Sequence, residues 1–270
     1  MIHLIAAKTC TEAWLRAANL LADTADRIAY NVILDIEQPI TVTAVDQRIV
    51  EAVDRFLKKN EADPVATVAA TIFPASDYRR NGVKGVFEDF PEKTYPKLTK
   101  TWGTYAGRLL RRGGKDGTTF NPLELTIRKL RAQKKRTGPL RSIYEASLID
   151  VMTDLPIFDP GLDSKRNQGQ PCLAHLSFKL REDNGLMLTA MYRNHYYVQR
   201  ALGNLLGLSQ LLFFVARESG LTPKSLVCHS TFARLDTDKG WSISEVKRLL
   251  VECNELAGAL VRQEAQGVMR

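Results

Sequence analysis

The sequence predicts an α/β fold, with a central mixed or antiparallel sheet flanked by helices, on three observations. Over residues 172–180 the positions Cys172, Ala174, Leu176, Phe178 and Leu180 alternate with Leu173, His175, Ser177 and Lys179, the period of a half-buried strand. Asn184-Gly185 then offers a tight reversal, because both residues tolerate φ > 0, and residues 186–193 alternate again. Beyond Arg193-Asn194 the apolar positions Val198, Leu202, Leu205, Leu206, Leu208, Leu211 and Leu212 change to helical spacing. A chain of 270 residues with 44% hydrophobic content can bury a full core, and it is read as one domain over 1–270.

The remaining elements follow from local chemistry. Residues 11–29 read as an amphipathic helix that Thr11 could cap, with Trp14, Ala17, Ala18, Leu21 and Ala25 as its buried stripe. Residues 31–37 alternate as a strand and stop before Pro39, which cannot donate to a ladder. Residues 45–59 form a second helix with Ile49, Val53 and Phe56 on one face, and 65–73 a third apolar segment ending at Pro74. Residues 79–96, rich in Gly, Pro and charge, read as a loop, and 102–110 as a short helix. Residues 113–119 read as a flexible turn. Asn121-Pro122 is a strong helix start, Asn as cap and Pro in the first turn, for a helix over 123–136. Residues 141–147 read as a strand, 154–170 as a loop, 226–230 as a short strand and 244–261 as a capped amphipathic helix.

Composition narrows the function classes. No apolar run approaches a membrane span, and the opening MIHLIAAKTC lacks the basic region and apolar block of a signal peptide, so a cytoplasmic protein is expected. Cys10, Cys172, Cys228 and Cys253 are scattered with no CxxC spacing, which indicates neither a zinc site nor a disulfide framework. The net charge of +8 gathers in Arg128, Lys129, Arg131, Lys134, Lys135 and Arg136, with Arg108, Arg111 and Arg112 close before them. Such a run serves as a solvated helix face, as a site for a small anion or a neighbouring subunit's phosphate, or as a polynucleotide patch; no zinc-finger, RNP or helix-turn-helix signature accompanies it.

Pro171-Cys172 at a strand entry, a hairpin, Arg193-Asn194, and Asn204 eleven residues after the arginine form an ordered series. The series resembles the catalytic core of the thymidylate synthase and deoxycytidylate hydroxymethylase superfamily, and the resemblance is best over 121–235. It implies Cys172 as the nucleophile, Arg193 and Asn194 as a phosphate pair and Asn204 as the reader of the base. The stretch TWGTYAGR is similar to a family segment that sets a tyrosine near the cysteine, which would be Tyr105; a core aromatic at a helix start explains it equally. Arg141, with Arg136 second, matches family arginines that cross a dimer to the partner's nucleotide. His229, Ser230 and Arg234 fall where the family holds the nucleotide. There Phe232 and Arg234 replace a His and a Tyr that bind the sugar.

The resemblance further implies one-carbon transfer, methylation or hydroxymethylation, to C5 of a pyrimidine nucleoside monophosphate, 5,10-methylenetetrahydrofolate as donor, and a homodimer. Thiolate addition at C6 is what turns a pyrimidine C5 into a nucleophile, and a planar guanidinium such as that of Arg193 suits a phosphate. An amide such as Asn204 can read uracil or cytosine. His175 and His195 are acid–base candidates, or structural and surface histidines. Three family features are missing: residues 69–73 carry no carboxylate, the arginine doublet before residue 141 is absent, and Tyr196 stands where an aspartate holds the pterin. The alternative reading is a catalytically impaired homologue acting as a nucleotide-binding or protein-interaction module, and polynucleotide binding through the basic helix is a third.

Overall fold

A computed structural model of the chain describes residues 2–98, 104–113, 117–149, 171–237 and 240–267. In chain order the elements are β1 (His3–Ala7), α1 (Cys10–Asp23), β2 (Ile28–Ile36), α2 (Ala44–Lys59), α3 (Val65–Ala70), α4 (Ala75–Lys84), a π-helical stretch (Gly85–Thr94) and a 3-10 turn (Tyr95–Leu98). They continue with α5 (Tyr105–Leu110), β3 (Arg112–Gly113), β4 (Thr119–Phe120), α6 (Pro122–Lys134), β5 (Glu145–Ser147), β6 (Leu173–Leu180), β7 (Gly185–Tyr192), β8 (His195–Tyr196), α7 (Ala201–Ser219), β9 (Thr222–Arg234) and α8 (Ile243–Gly267). The loop expected over 154–170, the Trp102 start of the short helix and the middle of the 113–119 turn lie outside the described residues. Two compact units result, one of Met1–Ala69, Asn194–Ser209 and Ser225–Arg270, the other of Ala70–Arg193 and Gln210–Lys224.

In the first unit β1 runs parallel to β2, β2 runs antiparallel to β9, and the short β8 lies parallel to β9. Val32, Leu34 and Ile36 of β2 are completely buried, as are Ala17, Ala18 and Leu21 of α1, which packs on β2. Each buried Leu or Ile of this layer contributes roughly 1.5–3 kcal/mol. Helix α1 starts at Cys10 rather than Thr11, because the Thr9 hydroxyl accepts from the Glu12 N–H. Thr43 and Asp46 form a capping box on α2, and Asp46 also accepts from Thr9 Oγ1 at 2.8 Å, so one carboxylate serves two helix N-termini.

The second unit holds an antiparallel β5-β6-β7 ladder, with Asn184 at φ 58° making the reversal. Phe178, Tyr144 and Tyr192 are fully buried, and Phe73, Tyr78 and Phe214 form an aromatic cluster. Asn121 caps α6 with Pro122 in its first turn, as the sequence predicts. Much of the basic run on α6 is spent on carbonyls: Lys129 on Ile143, Arg131 on Glu218 and Lys134 on Gly220.

Strands set against helices make the fold α/β with a mixed sheet flanked by helices, the class predicted. The loop expected over 79–96 is instead α4 followed by the π-helical stretch. Gly82 at φ +57° supplies the kink, and Asp89 holds the stretch together by accepting from Asn81 and Lys93 at 2.6 Å each. The 141–147 strand shrinks to Glu145–Ser147, whereas the strand expected over 226–230 extends to Thr222–Arg234. No helix among the described residues is long and apolar enough to cross a membrane.

Candidate functional site

In the second unit the predicted nucleophile sits at the entry of β6. Cys172 is half-buried, while Cys10, Cys228 and Cys253 are buried. Burial pushes the thiols of Cys228 and Cys253 up to about 12 and that of Cys10 higher still, which makes all three unreactive packing groups. The backbone around Cys172 is fixed from both sides. The Arg193 N–H donates to the Cys172 carbonyl at 2.9 Å, and the Arg193 guanidinium donates to the Pro171 carbonyl through Nη2 at 3.0 Å and Nε at 3.3 Å. The Leu173 N–H donates to the Tyr105 hydroxyl at 3.4 Å, and the Tyr105 ring meets Tyr192 edge-on. A break in β6-β7 register between Leu173 and His175 twists the strand just past the cysteine, a device that re-aims side chains beside sites. Cys172, Tyr105 and Arg193 are thus brought together.

Two other residues singled out in this unit lie elsewhere. His175 bonds Glu145 at 2.8 Å, alongside Ser177 and Lys179, in a half-exposed polar cluster across β5 and β6. Arg141 is exposed and paired with Glu182 at 2.7 Å.

In the first unit the remaining predicted residues divide into a buried group and a strand face. Asn204, one turn into α7, sets Nδ2 at 3.1 Å from His195 Nε2; His195 Nδ1 lies 2.9 Å from Ser230 Oγ, and Ser230 Oγ lies 3.2 Å from the Tyr197 hydroxyl. All four residues are buried. Burial alone pushes the His195 imidazole down to about 3, so the ring is neutral, and raises the Tyr197 phenol. Two contacts steady this group. Trp14 Nε1 donates to the Tyr197 carbonyl at 2.7 Å, and the buried Asp236 carboxylate accepts from the Val198 and Gln199 N–H groups at 2.8 and 3.3 Å just ahead of α7. Asn194 Oδ1 is a buried acceptor without a hydrogen-bond partner among the described residues.

On β9, His229 Nε2 is 3.0 Å from Asn31 Oδ1, Phe232 stacks edge-on with Tyr30, and Arg234 pairs in register with Tyr196. Reasoning from sequence names Asn204, His195 and Ser230 separately and misses that they form one chain with Tyr197. No spacing rule reveals this, because the β8-β9 pairing creates it.

Over 82 residues, 30% of this chain, the sequence is 35% identical to a Methanococcoides burtonii protein provisionally named thymidylate synthase. Over 86 residues it is 35% and 34% identical to proteins given the same name in Methanosarcina barkeri and Methanosarcina mazei. The match spans little more than a third of these relatives, 36% of the first and 38% of the other two. Among solved structures, the thymidylate synthase of T4 phage is 13% identical, covering 83% of this chain and 76% of that one, with a TM-score of 0.46. No family model matches the chain. Through this shared segment the chain is similar to the three archaeal proteins, and the likeness extends no further than that segment.

Proposed function

We propose that the protein is a one-carbon transferase acting at C5 of a pyrimidine nucleoside monophosphate, methylating or hydroxymethylating it through a covalent adduct of Cys172. The observation that carries this reading is the setting of that thiol. It is the half-buried one of four, its own carbonyl and that of Pro171 accept from Arg193, and the next N–H is held by Tyr105. The Cys172 thiolate adds to C6, and the electrons of the C5–C6 double bond move toward O4 to give an enolate. C5 then takes a proton or bonds to an electrophilic one-carbon unit. Loss of the original C5 proton and expulsion of the thiolate restore the ring, which with water carries a hydroxymethyl group; a methyl product requires a hydride donor as a further co-reactant. Arg193 and Asn194 are assigned to the phosphate and Asn204 to the base, and a homodimer through open sheet faces, with Arg141 reaching the partner's nucleotide, completes the reading.

The resemblance names 5,10-methylenetetrahydrofolate as donor, but the residues on its side do not fit the pterin in the family's manner. Tyr196 offers a phenol in place of the carboxylate, and the nearby Asp236 is engaged by two backbone N–H groups. No step is therefore routed through the folate. The same substitution, with Phe232 and Arg234 on the sugar side, favours the second reading, a nucleotide-binding homologue without transfer activity.

Exchange of tritium from C5 of uracil and cytosine monophosphates separates the two. We expect exchange by the protein, and its loss by at least about a thousandfold in Cys172→Ser with nucleotide binding retained. Equal exchange in the variant would remove the covalent mechanism, and binding without exchange by the unmodified protein would leave the second reading standing.

A further inference from the structure

Helices α2 and α8 pack together in the first unit and leave between them a groove of about 270 Å3, open to solvent, that the nucleotide reading does not use. We propose that this groove is a binding site for a small aromatic monocarboxylate, with the ring on its apolar floor and the carboxylate on Arg248. The inference stands independently of the pyrimidine reading.

The floor is made of the buried Ala52 and Leu249 and of the half-buried Phe56, whose ring meets Trp241 edge-on at 5.6 Å. Ala52 contributes only a methyl group, which leaves the space between the helices unfilled. A cavity of about 150 Å3 holds benzene, so this groove has room for a second fused ring. A flat ring covers such a floor with few rotatable bonds to immobilise, whereas a flexible chain of equal area loses more entropy on binding.

Charge on the rim sets the other end of the ligand. Two ion pairs cross the groove: Arg55 of α2 meets Glu252 at 2.6 Å, and Lys59, one turn on, meets Glu245 at 3.1 Å. The Ser242 N–H, donating to Glu245 at 2.9 Å, together with Lys59 and the Ser242 hydroxyl pushes that carboxyl down to about 2, so it stays ionised. Arg248 lies between the two acids, three residues after Glu245 and four before Glu252, a spacing at which helix pairs form. It pairs with neither. Both carboxylates turn to α2, and among the described residues Arg248 has no hydrogen bond or ion pair. Three cations and two carboxylates leave one positive charge on the rim. A guanidinium takes a carboxylate through two parallel N–H bonds, and a monoanion completes the balance. The second charge of a phosphate would instead face Glu245 and Glu252, which repel it.

Ligand-observed NMR titration of the full chain with 2-naphthoate tests this, against the neutral 2-naphthalenemethanol and the dianion 2-naphthyl phosphate. We expect the carboxylate to bind with a Kd of about a millimolar or tighter, and at least about fivefold more tightly than either comparator. Arg248→Gln, at an exposed position that spares the core, should weaken it at least about fivefold. Lys247→Gln removes the same charge from the neighbouring exposed position, which does not line the groove, and should leave the affinity within about twofold. Absence of binding up to about 10 mM, or binding of the alcohol or the phosphate as tight as that of the carboxylate, overturns the inference. So does an affinity that Arg248→Gln leaves unmoved, or that Lys247→Gln lowers as far, since attraction to the protein's overall charge would then account for it. Displacement of the naphthoate by dUMP would set it in a different site and overturns the inference as well.

Discussion

At the scale of single residues, chemistry follows burial. Cys172 and His195 are both candidates by residue type, but one is half-buried at a strand entry and the other is sealed in a core and neutral. The imidazole therefore acts through hydrogen bonds and not by carrying a proton, which has a measurable cost in acid. Its value in the fold is about 3, against roughly 6.5 in an unfolded chain. Between those values the unfolded state binds more protons, so the stabilisation is complete above pH 6.5 and is lost as pH falls toward 3. The slope from this one group is at most about 1.4 kcal/mol per pH unit. The window from pH 6.5 to 5 lies above the ordinary carboxylate range, so Glu145, Asp89 and Asp183, whose values are held low by their partners, do not contribute there. Urea unfolding should show stability falling over that window in the protein and a shallower fall in His195→Leu; parallel profiles would show that the ring does not stay neutral. Cys172, Arg193 and Tyr105 are readable in the sequence because motif order carries them. The linkage of His195 to Ser230 is not, since it depends on a register, His195 opposite Ala233, that joins distant strands.

At the scale of elements, what is legible is what the local sequence fixes by itself. The apolar face of Ile49, Val53 and Phe56 and the Asn121-Pro122 start place α2 and α6 within one or two residues, while the Thr43-to-Asp46 capping box that starts α2 is seen in the structure. Residues 79–96 mislead because Asn81-Gly82 and Pro91 carry loop signals, whereas side-chain hydrogen bonds from Asn81 and Lys93 to Asp89, which no spacing rule reveals, hold the helical turns. Strand β1 is missed because five residues with two exposed apolar positions give little alternation. One element contact is unexpectedly close. A Cβ on Gly203 would lie 2.5 Å from Val68 Cβ and 2.8 Å from the Val65 carbonyl oxygen, so α7 meets α3 at a point that admits only glycine, one residue before Asn204. Gly203→Ala should therefore cost about 1–3 kcal/mol through overpacking, despite alanine's better helix propensity. Thermal unfolding measures it, and an unchanged or raised midpoint would mean that α3 yields without cost.

At the scale of the whole molecule, charge and exposed apolar surface point to different partners. The +8 excess suggests polynucleotide binding by its size, yet Lys129, Arg131 and Lys134 of the basic helix are turned onto carbonyls of neighbouring segments, so the run is partly internal structure. Apolar surface is more suggestive. In the first unit Leu4 is 69% exposed, and register places it beside Ile33, itself opposite His229 on β9, with Tyr30 62% exposed on the same strand as Ile33. Apolar side chains contiguous across paired strands are the kind of surface that a soluble chain covers with a partner. The Arg141 pair with Glu182 in the second unit is exposed on both sides and contributes little to stability. We expect a homodimer built on the apolar face of the first unit. Light scattering at micromolar concentration should give twice the chain mass. Leu4→Glu, which sets a carboxylate on an exposed strand position and so spares the core, should shift the protein to monomer with its thermal midpoint changed by only a few degrees. A monomeric unmodified protein, or a Leu4→Glu variant that stays dimeric, would place the contact elsewhere or remove it.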